Sequence, residues 1–421
     1  MLRTQGRLVR ALGALGIAAA AVLVAACGGG GGGGGSATAG SGGGTGGGGA
    51  TASNQVSVTV AQGVANIANI LTVSVTVCVP GSTVCQTVPN VQVDTESFGL
   101  RLASAAVSQV LSQLPHQTVA GSPVAECTGF ADGNTWGSVR SADVKIGGET
   151  AAALPVQILG DLPQSAVATG NCASGALELS PNDLGANGSL GIGVAPNDCG
   201  AFCANPPASN GSYYVCPGGS NCVPTVLPIA QQVTNPVSKF PADNNGVVLS
   251  MPSIGPSGSS TATGTLTFGI GTQSNNAQPT TLTKLTTNSF GDVNATFAGT
   301  SVTAFFDSGS NAYFFTDNTL PACAGNASSF YCPVPTATRN VTVASYNAVT
   351  SGAAGGTVLS MSVGNAAQLL QTGNFALNDL AGTLGSGASF VDLGMPFFYG
   401  RTVYYGMDRT ASAGPAPFVA F

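Results

Sequence analysis

The chain has 421 residues, of which 43% are apolar and only 7% charged, with 61 glycines and 24 prolines. Eleven Lys and Arg against 17 Asp and Glu leave a net charge of −6, too few cations to build a phosphate-binding face, so a nucleic-acid partner is excluded. A single histidine, His116, rules out multi-histidine metal sites and most Ser-His or Cys-His mechanisms.

Arg3, Arg7 and Arg10 precede an apolar run from Ala11 to Ala26, the charged-then-apolar order of a secretory signal. The run is short for a membrane span. It ends in Leu23-Val24-Ala25-Ala26-Cys27, which resembles the bacterial lipobox. That resemblance implies removal of residues 1–26 and lipidation of Cys27, with membrane contact through the lipid alone. Gly28 follows in place of an aspartate, which points to the outer membrane or cell surface. Residues 28–49 contain 16 glycines and cannot pack, so 27–53 reads as a lipidated cysteine and flexible tether.

From residue 54 onward the pattern is that of strands. Val56–Val60, Leu71–Val77, Val144–Ile146, Leu266–Phe268 and Val341–Val343 alternate apolar with polar residues and are rich in β-branched side chains. One helix is predicted, over Ser104–Leu114, with Val107, Val110, Leu111 and Leu114 on one face and Ser104 as its cap. His116, just beyond it, reads as a surface loop residue. Ten cysteines remain after Cys27, and an even number in an exported chain reads as disulfides. Cys78–Cys85, Cys216–Cys222 and Cys323–Cys332 are close pairs, Cys127–Cys172 is a longer one, and Cys199 and Cys203 pair with each other or elsewhere. The rival for Cys199, Cys203, Cys216 and Cys222 is a four-cysteine zinc site, which their irregular spacing disfavours. No cofactor or metal is expected.

Two segments repeat. Val91–Leu102 is an apolar strand ending in Asp94-Thr95-Glu96-Ser97, and Ala304–Phe315 has the same layout around Asp307-Ser308-Gly309-Ser310, 213 residues on. Each is followed by a distant Leu-Gly step, Leu190-Gly191 and Leu393-Gly394. Acid, hydroxyl and Leu-Gly, each occurring twice, mark an internal duplication.

These residues resemble the pepsin-like aspartic peptidases, whose two lobes each carry Asp-Thr/Ser-Gly-Ser/Thr at a loop tip crossed by a hydrophobic-hydrophobic-Gly strand. The resemblance implies a mainly-β, bilobal fold of two pseudo-symmetric β-barrel lobes, with lobes at 54–265 and 266–421 meeting near the linker-like Gly255–Ser260. It implies catalysis by Asp94 and Asp307, loops locked by Thr95 and Ser308, outer carboxylate oxygens bonded by Ser97 and Ser310, and a glycine at Gly309 that lets substrate approach. Two carboxylates about 3 Å apart cannot both ionise. They share a proton and activate a water for peptide-bond hydrolysis, with a peptide or protein as substrate or ligand. Three positions depart from the family. Glu96 replaces the first-loop glycine and is expected to perturb the pair if it faces it. Phe130 stands at the flap where the family has tyrosine, with Trp136 a candidate substitute or a core residue. Asp392 replaces an apolar residue and reads as structural. The chain also resembles a bacterial lipoprotein family of the domain-of-unknown-function type (3443), through Asn244-Asn245-Gly246 and Phe268-Gly269-Ile270-Gly271, which implies a fold without an activity. The alternatives are a pepsin-like protein that binds a peptide or partner without cleaving it, and a β-sandwich adhesin whose two aspartates lie far apart.

Overall fold

A computed structural model describes residues 53–130, 133–163, 166, 176–207, 212–384 and 388–421. The signal segment, Cys27 and the tether up to residue 52 lie outside the described residues, as does Cys172 of the expected Cys127–Cys172 pair.

The alternating runs become strands for the expected reason. In Leu71–Cys78, Leu71, Val73, Val75 and Val77 are buried while Thr72, Ser74 and Thr76 face outward. Val56–Val60 lies in the strand Gln55–Val60, Val144–Ile146 ends Asn134–Ile146, and Val341–Val343 lies in Ala337–Ala344. The chain is mainly β and forms two sheets. A seven-stranded sheet holds most of the C-terminal half, from Val293–Phe297 to Phe390–Leu393. A 16-stranded sheet holds the N-terminal half and continues through strands contributed by both halves. There Gln55–Val60 pairs with Ala262–Phe268, which pairs with Gly246–Ser250, which pairs with Thr402–Gly406. These shared strands carry the two lobes, and one apolar core runs beneath both, from Val58 through Val93 and Phe306 to Val419. Burial of this continuous apolar surface is the main force holding the lobes together.

Position 265/266, the expected lobe boundary, falls inside the strand Ala262–Phe268. Gly255–Ser260 is the loop of a hairpin and is docked on the C-terminal half, where Ser259 N donates to Ala376 O at 2.8 Å. Gly, Pro and Ser punctuate a hairpin turn as readily as a linker. The runs Asn244–Gly246 and Phe268–Gly271 meet at the base of that hairpin: Asn245 Nδ2 donates to Ile270 O (2.8 Å) and Asn245 Oδ1 accepts from Ile270 N (2.7 Å).

The helix expected over Ser104–Leu114 is instead two short 3₁₀ turns, Ser104–Val107 and Leu111–Gln113, and Ser104 does not cap it. Val107, Val110 and Leu114 are still buried, so the apolar spacing reported burial correctly and helix type wrongly. Two β-branched valines and three serines in this stretch weaken a continuous α-helix. Cys78–Cys85, Cys199–Cys203, Cys216–Cys222 and Cys323–Cys332 are disulfides, so the zinc alternative fails. Among the described residues no helix is long and apolar enough to cross a membrane.

Candidate active site

The same figure is folded twice. Strand Cys85–Asp94 runs parallel to Gly188–Ile192, with Val93 opposite Leu190 and Asp94 opposite Gly191. The chain turns at Thr95–Ser97 and returns as Phe98–Ala103, antiparallel to the other edge of Gly188–Ile192. The Leu-Gly strand therefore lies between the two arms of the acid loop. In the C-terminal lobe Thr300–Phe306 runs parallel to Phe390–Leu393, with Phe306 opposite Leu393, and Tyr313–Phe315 closes the far edge. Two strand ends buried on both sides are thereby aimed at one place, and the β-sandwich reading, which separates the aspartates, is dismissed.

Asp94 and Asp307 meet there, with relative exposures of 1% and 0%. A Cβ added to Gly309 would lie 3.0 Å from Asp94 Oδ1 and 2.9 Å from Asp307 Oδ1, so both oxygens surround a single point. Asp94 Oδ1 accepts from Glu96 N and Ser97 N, each at 2.9 Å, and Asp94 Oδ2 accepts from Ser97 Oγ at 2.5 Å. Asp307 Oδ1 accepts from Gly309 N at 2.7 Å and Asp307 Oδ2 from Ser310 Oγ at 2.7 Å. Such bonds orient a buried carboxylate and favour its charged form. Burial pushes the Asp307 carboxyl well above the usual carboxylate range, reinforced by the charges of Asp94 and then Asp392, while Ser310 and Gly309 pull the other way. The folded chain therefore holds a proton on this acid more tightly than the unfolded chain. Its contribution to stability is greatest in acid and is lost as pH rises from the ordinary carboxylate range through the raised value.

Thr95 and Ser308 join the two tips. Thr95 Oγ1 donates to Phe306 O (2.8 Å) and accepts from Ser308 N (2.9 Å), while Ser308 Oγ donates to Val93 O (2.8 Å). Gln92 adds a fourth tie across the lobes, its amide donating to Gly309 O at 2.7 Å. From the floor of the site, Tyr405 donates its hydroxyl to Phe306 O at 2.8 Å.

Glu96 is buried, and its carboxylate lies against Gly291, where an added Cβ would come within 2.6 Å of Oε2. Its backbone N–H still serves Asp94, as a glycine's would. The third acid that acts on Asp307 is Asp392, fully buried in the Leu-Gly strand of the C-terminal lobe, a residue read from sequence as structural. A signal was available: Asp392 stands two residues before Gly394, as Ser189 stands two before Gly191, and Ser189 Oγ lies 3.5 Å from Asp94 Oδ2. Among the described residues no group of three or more His, Cys, Asp or Glu is placed to hold a metal ion.

A family described as "Protein of unknown function (DUF3443)" matches residues 50–421. The chain belongs to that family. No curated protein matches it. Among solved structures it is similar to the aspartic proteinase from Irpex lacteus, at 16% identity and a TM-score of 0.43, over 87% of this chain and 96% of that one.

In this DUF3443 chain the segment expected as the flap is a hairpin, Ser122–Gly129 paired with Asn134–Ile146, and Phe130 N donates to Gly133 O at 2.7 Å. Trp136 is a core residue, fully buried in a satellite cluster with Cys127, Tyr214 and Cys216 and edge-on to Tyr214 at 5.4 Å. His116 is exposed. Sequence reasoning missed Arg101, which is buried on the strand leaving the first acid loop and bonds Glu126 (2.9 Å), Asp198 (3.2 Å) and Thr128 (3.2 Å). Glu126 and Thr128 belong to the hairpin's first strand, and the guanidinium sits 5.9 Å from the Phe130 ring centroid. One cation thus fastens the strand leaving the first acid loop to the hairpin. Two acids surround it, and burial followed by the Glu126 charge pushes Asp198 well above the usual carboxylate range, while the Arg101 charge pulls it back.

Proposed function

We propose that this protein is an exported, lipid-anchored aspartic endopeptidase, with Asp94 and Asp307 as its catalytic pair. The observation that carries the reading is the convergence of both carboxylates on one buried point, each held by its own loop's N–H and hydroxyl donors. That geometry supports hydrolysis by the following steps. A water between the acids gives its proton to the ionised carboxylate as its oxygen bonds the scissile carbon. The protonated partner gives its proton to the carbonyl oxygen, leaving a neutral gem-diol. The amide nitrogen then takes the proton from the first acid as the C–N bond breaks, and a gem-diol hydroxyl returns a proton to the second. No histidine or metal is called on. Export and anchoring at the outer membrane or cell surface are supported by the Arg3–Arg10 basic start, the apolar run and Cys27.

The test is incubation of the full chain with a peptide library from acid to neutral pH. Wild type is expected to cleave, a statine inhibitor to block it, and Asp307→Asn or Asp94→Asn to lose at least ~10²-fold in kcat/KM. Undiminished cleavage by both variants would end the peptidase reading. The second reading, a pepsin-like binder without catalysis, is favoured by Phe130, which lacks the flap hydroxyl of tyrosine. It expects peptide binding that survives both Asp→Asn changes, and specific proteolysis by wild type would remove it.

A further inference from the structure

The pseudo-symmetry that pairs the acids is broken directly behind them. In the first lobe Val91 and Val93 belong to the apolar core, which leaves Gln92 and Asp94 on the opposite face of their strand. Leu190 and Ile192 are core residues too, and Ser189, opposite Gln92, shares the face of Asp94, within 3.5 Å of its Oδ2. In the second lobe Ala304 and Phe306 are core, so Phe305 and Asp307 share the other face. Val391 and Leu393 are core, and Asp392, opposite Phe305, falls on the face of Asp307. Asp392 therefore occupies toward Asp307 the place that Ser189 occupies toward Asp94. A neutral hydroxyl backs one catalytic acid and a carboxyl backs the other.

We propose that Asp392 is a positioning residue for the pair: lying behind Asp307, it biases the shared proton onto Asp307 and leaves Asp94 as the carboxylate that activates water. The Ser189 hydroxyl can donate to an ionised Asp94, whereas a carboxyl placed behind Asp307 opposes ionisation there. The direction of the Asp307 shift, with Asp392 among its causes, agrees. The titratable groups that interact with Asp392 are Asp307 in its own lobe and Tyr405 on the strand Thr402–Gly406; from the first acid loop Asp94 acts on Asp307 and Glu96 on Tyr405. Across the remaining edge the facing residue is Phe314, which does not titrate.

The role in turnover rests on the peptidase reading, but the proton's position can be measured without it. Aspartate carboxyl carbons in the full chain, labelled with carbon-13 and assigned through Asp→Asn variants, report each protonation state by NMR. In wild type Asp307 is expected to stay protonated above the ordinary carboxylate range. Asp392→Asn is expected to lower the Asp307 midpoint by ~1 pH unit, and to carry the basic limb of the kcat/KM profile down with it. Asp392→Glu restores both. Asp392→Ser, which copies the first lobe, gives the same downward shift and serves if the asparagine variant does not fold. Wild type holding the proton on Asp94, or an Asp307 midpoint unmoved in a folded Asp392 variant, overturns the proposal. A chain that cleaves no peptide yet shows the expected titrations removes the peptidase reading and leaves the proton assignment standing.

Discussion

At the tip of the first acid loop the third residue is Glu96, and at the tip of the second it is Gly309. Both backbone N–H groups do the same work, donating to the aspartate two residues before them at 2.9 and 2.7 Å. The difference lies in where a side chain can go. A Cβ on residue 309 would sit 2.8 Å from Asp94 Cγ, between the two carboxylates, whereas the side chain of Glu96 leaves the site toward Gly291. The motif glycine is thus required on one side of the dyad and dispensable on the other. What decides it is the neighbouring lobe, which fills the space at one tip and leaves it open at the other.

The strongest way to break this comparison is Gly309→Ala. The added carbon must displace the Asp94 or Asp307 carboxylate, and in a catalytic pair a misplacement near 1 Å costs about 10²-fold. The expectation is a ~10²-fold loss in kcat/KM with little change in the urea midpoint, while Glu96→Ala stays within a few-fold of wild type. Equal losses from the two substitutions would mean that the tips are equivalent after all.

The hydroxyls beneath the tips sharpen the same asymmetry. Thr95 both donates to Phe306 O and accepts from Ser308 N, whereas Ser308 Oγ donates to Val93 O. In Thr95→Ala the Phe306 carbonyl keeps Tyr405, but the buried Ser308 N–H loses its acceptor. An orphaned N–H is costlier than an under-satisfied carbonyl. Thr95→Ala is therefore expected to cost about 2 kcal/mol in urea unfolding and Ser308→Ala about 1 kcal/mol. The double variant should fall short of their sum, since the two share one network.

The parts of this architecture that sequence made legible are those whose chemistry fixes residue types at short spacing. Asp94-Thr95 and Asp307-Ser308-Gly309-Ser310 had to be these residues, and three local disulfides could be read from nearness alone, while Cys199–Cys203 stayed one of several options until the structure paired them. Features assembled across long separations were not legible. Arg101, Glu126 and Asp198 are scattered singly along the chain and become a cluster only in the folded protein, where Arg101 meets both acids. Asp392 looked like an isolated acid in an apolar strand until register placed it opposite Phe305 and beside Asp307. The Ser104–Leu114 helix failed differently: valines at helical spacing are buried equally well by two short turns.

The smallest effect expected concerns how Glu96 is accommodated. Gly291 has φ +96°, so alanine there is strained whatever surrounds it, and its Cβ would in addition meet Glu96 Oε2 at 2.6 Å. Two costs are thus superimposed, one of backbone and one of contact, and only the second depends on Glu96. Gly291→Ala alone is expected to destabilise by about 2 kcal/mol, from strain of 1–3 kcal/mol for a residue held in this region. In a Glu96→Gly background the same change should cost about 1 kcal/mol less, and that difference is the coupling a double-mutant cycle in urea isolates. An unchanged cost would mean that the glutamate does not occupy the space Gly291 leaves. The first tip's tolerance of a large acid would then need a different host. A clear coupling would instead identify Gly291 as the counterpart that lets position 96 dispense with glycine, so that the residue missing from the first motif is matched by one found in the opposite lobe.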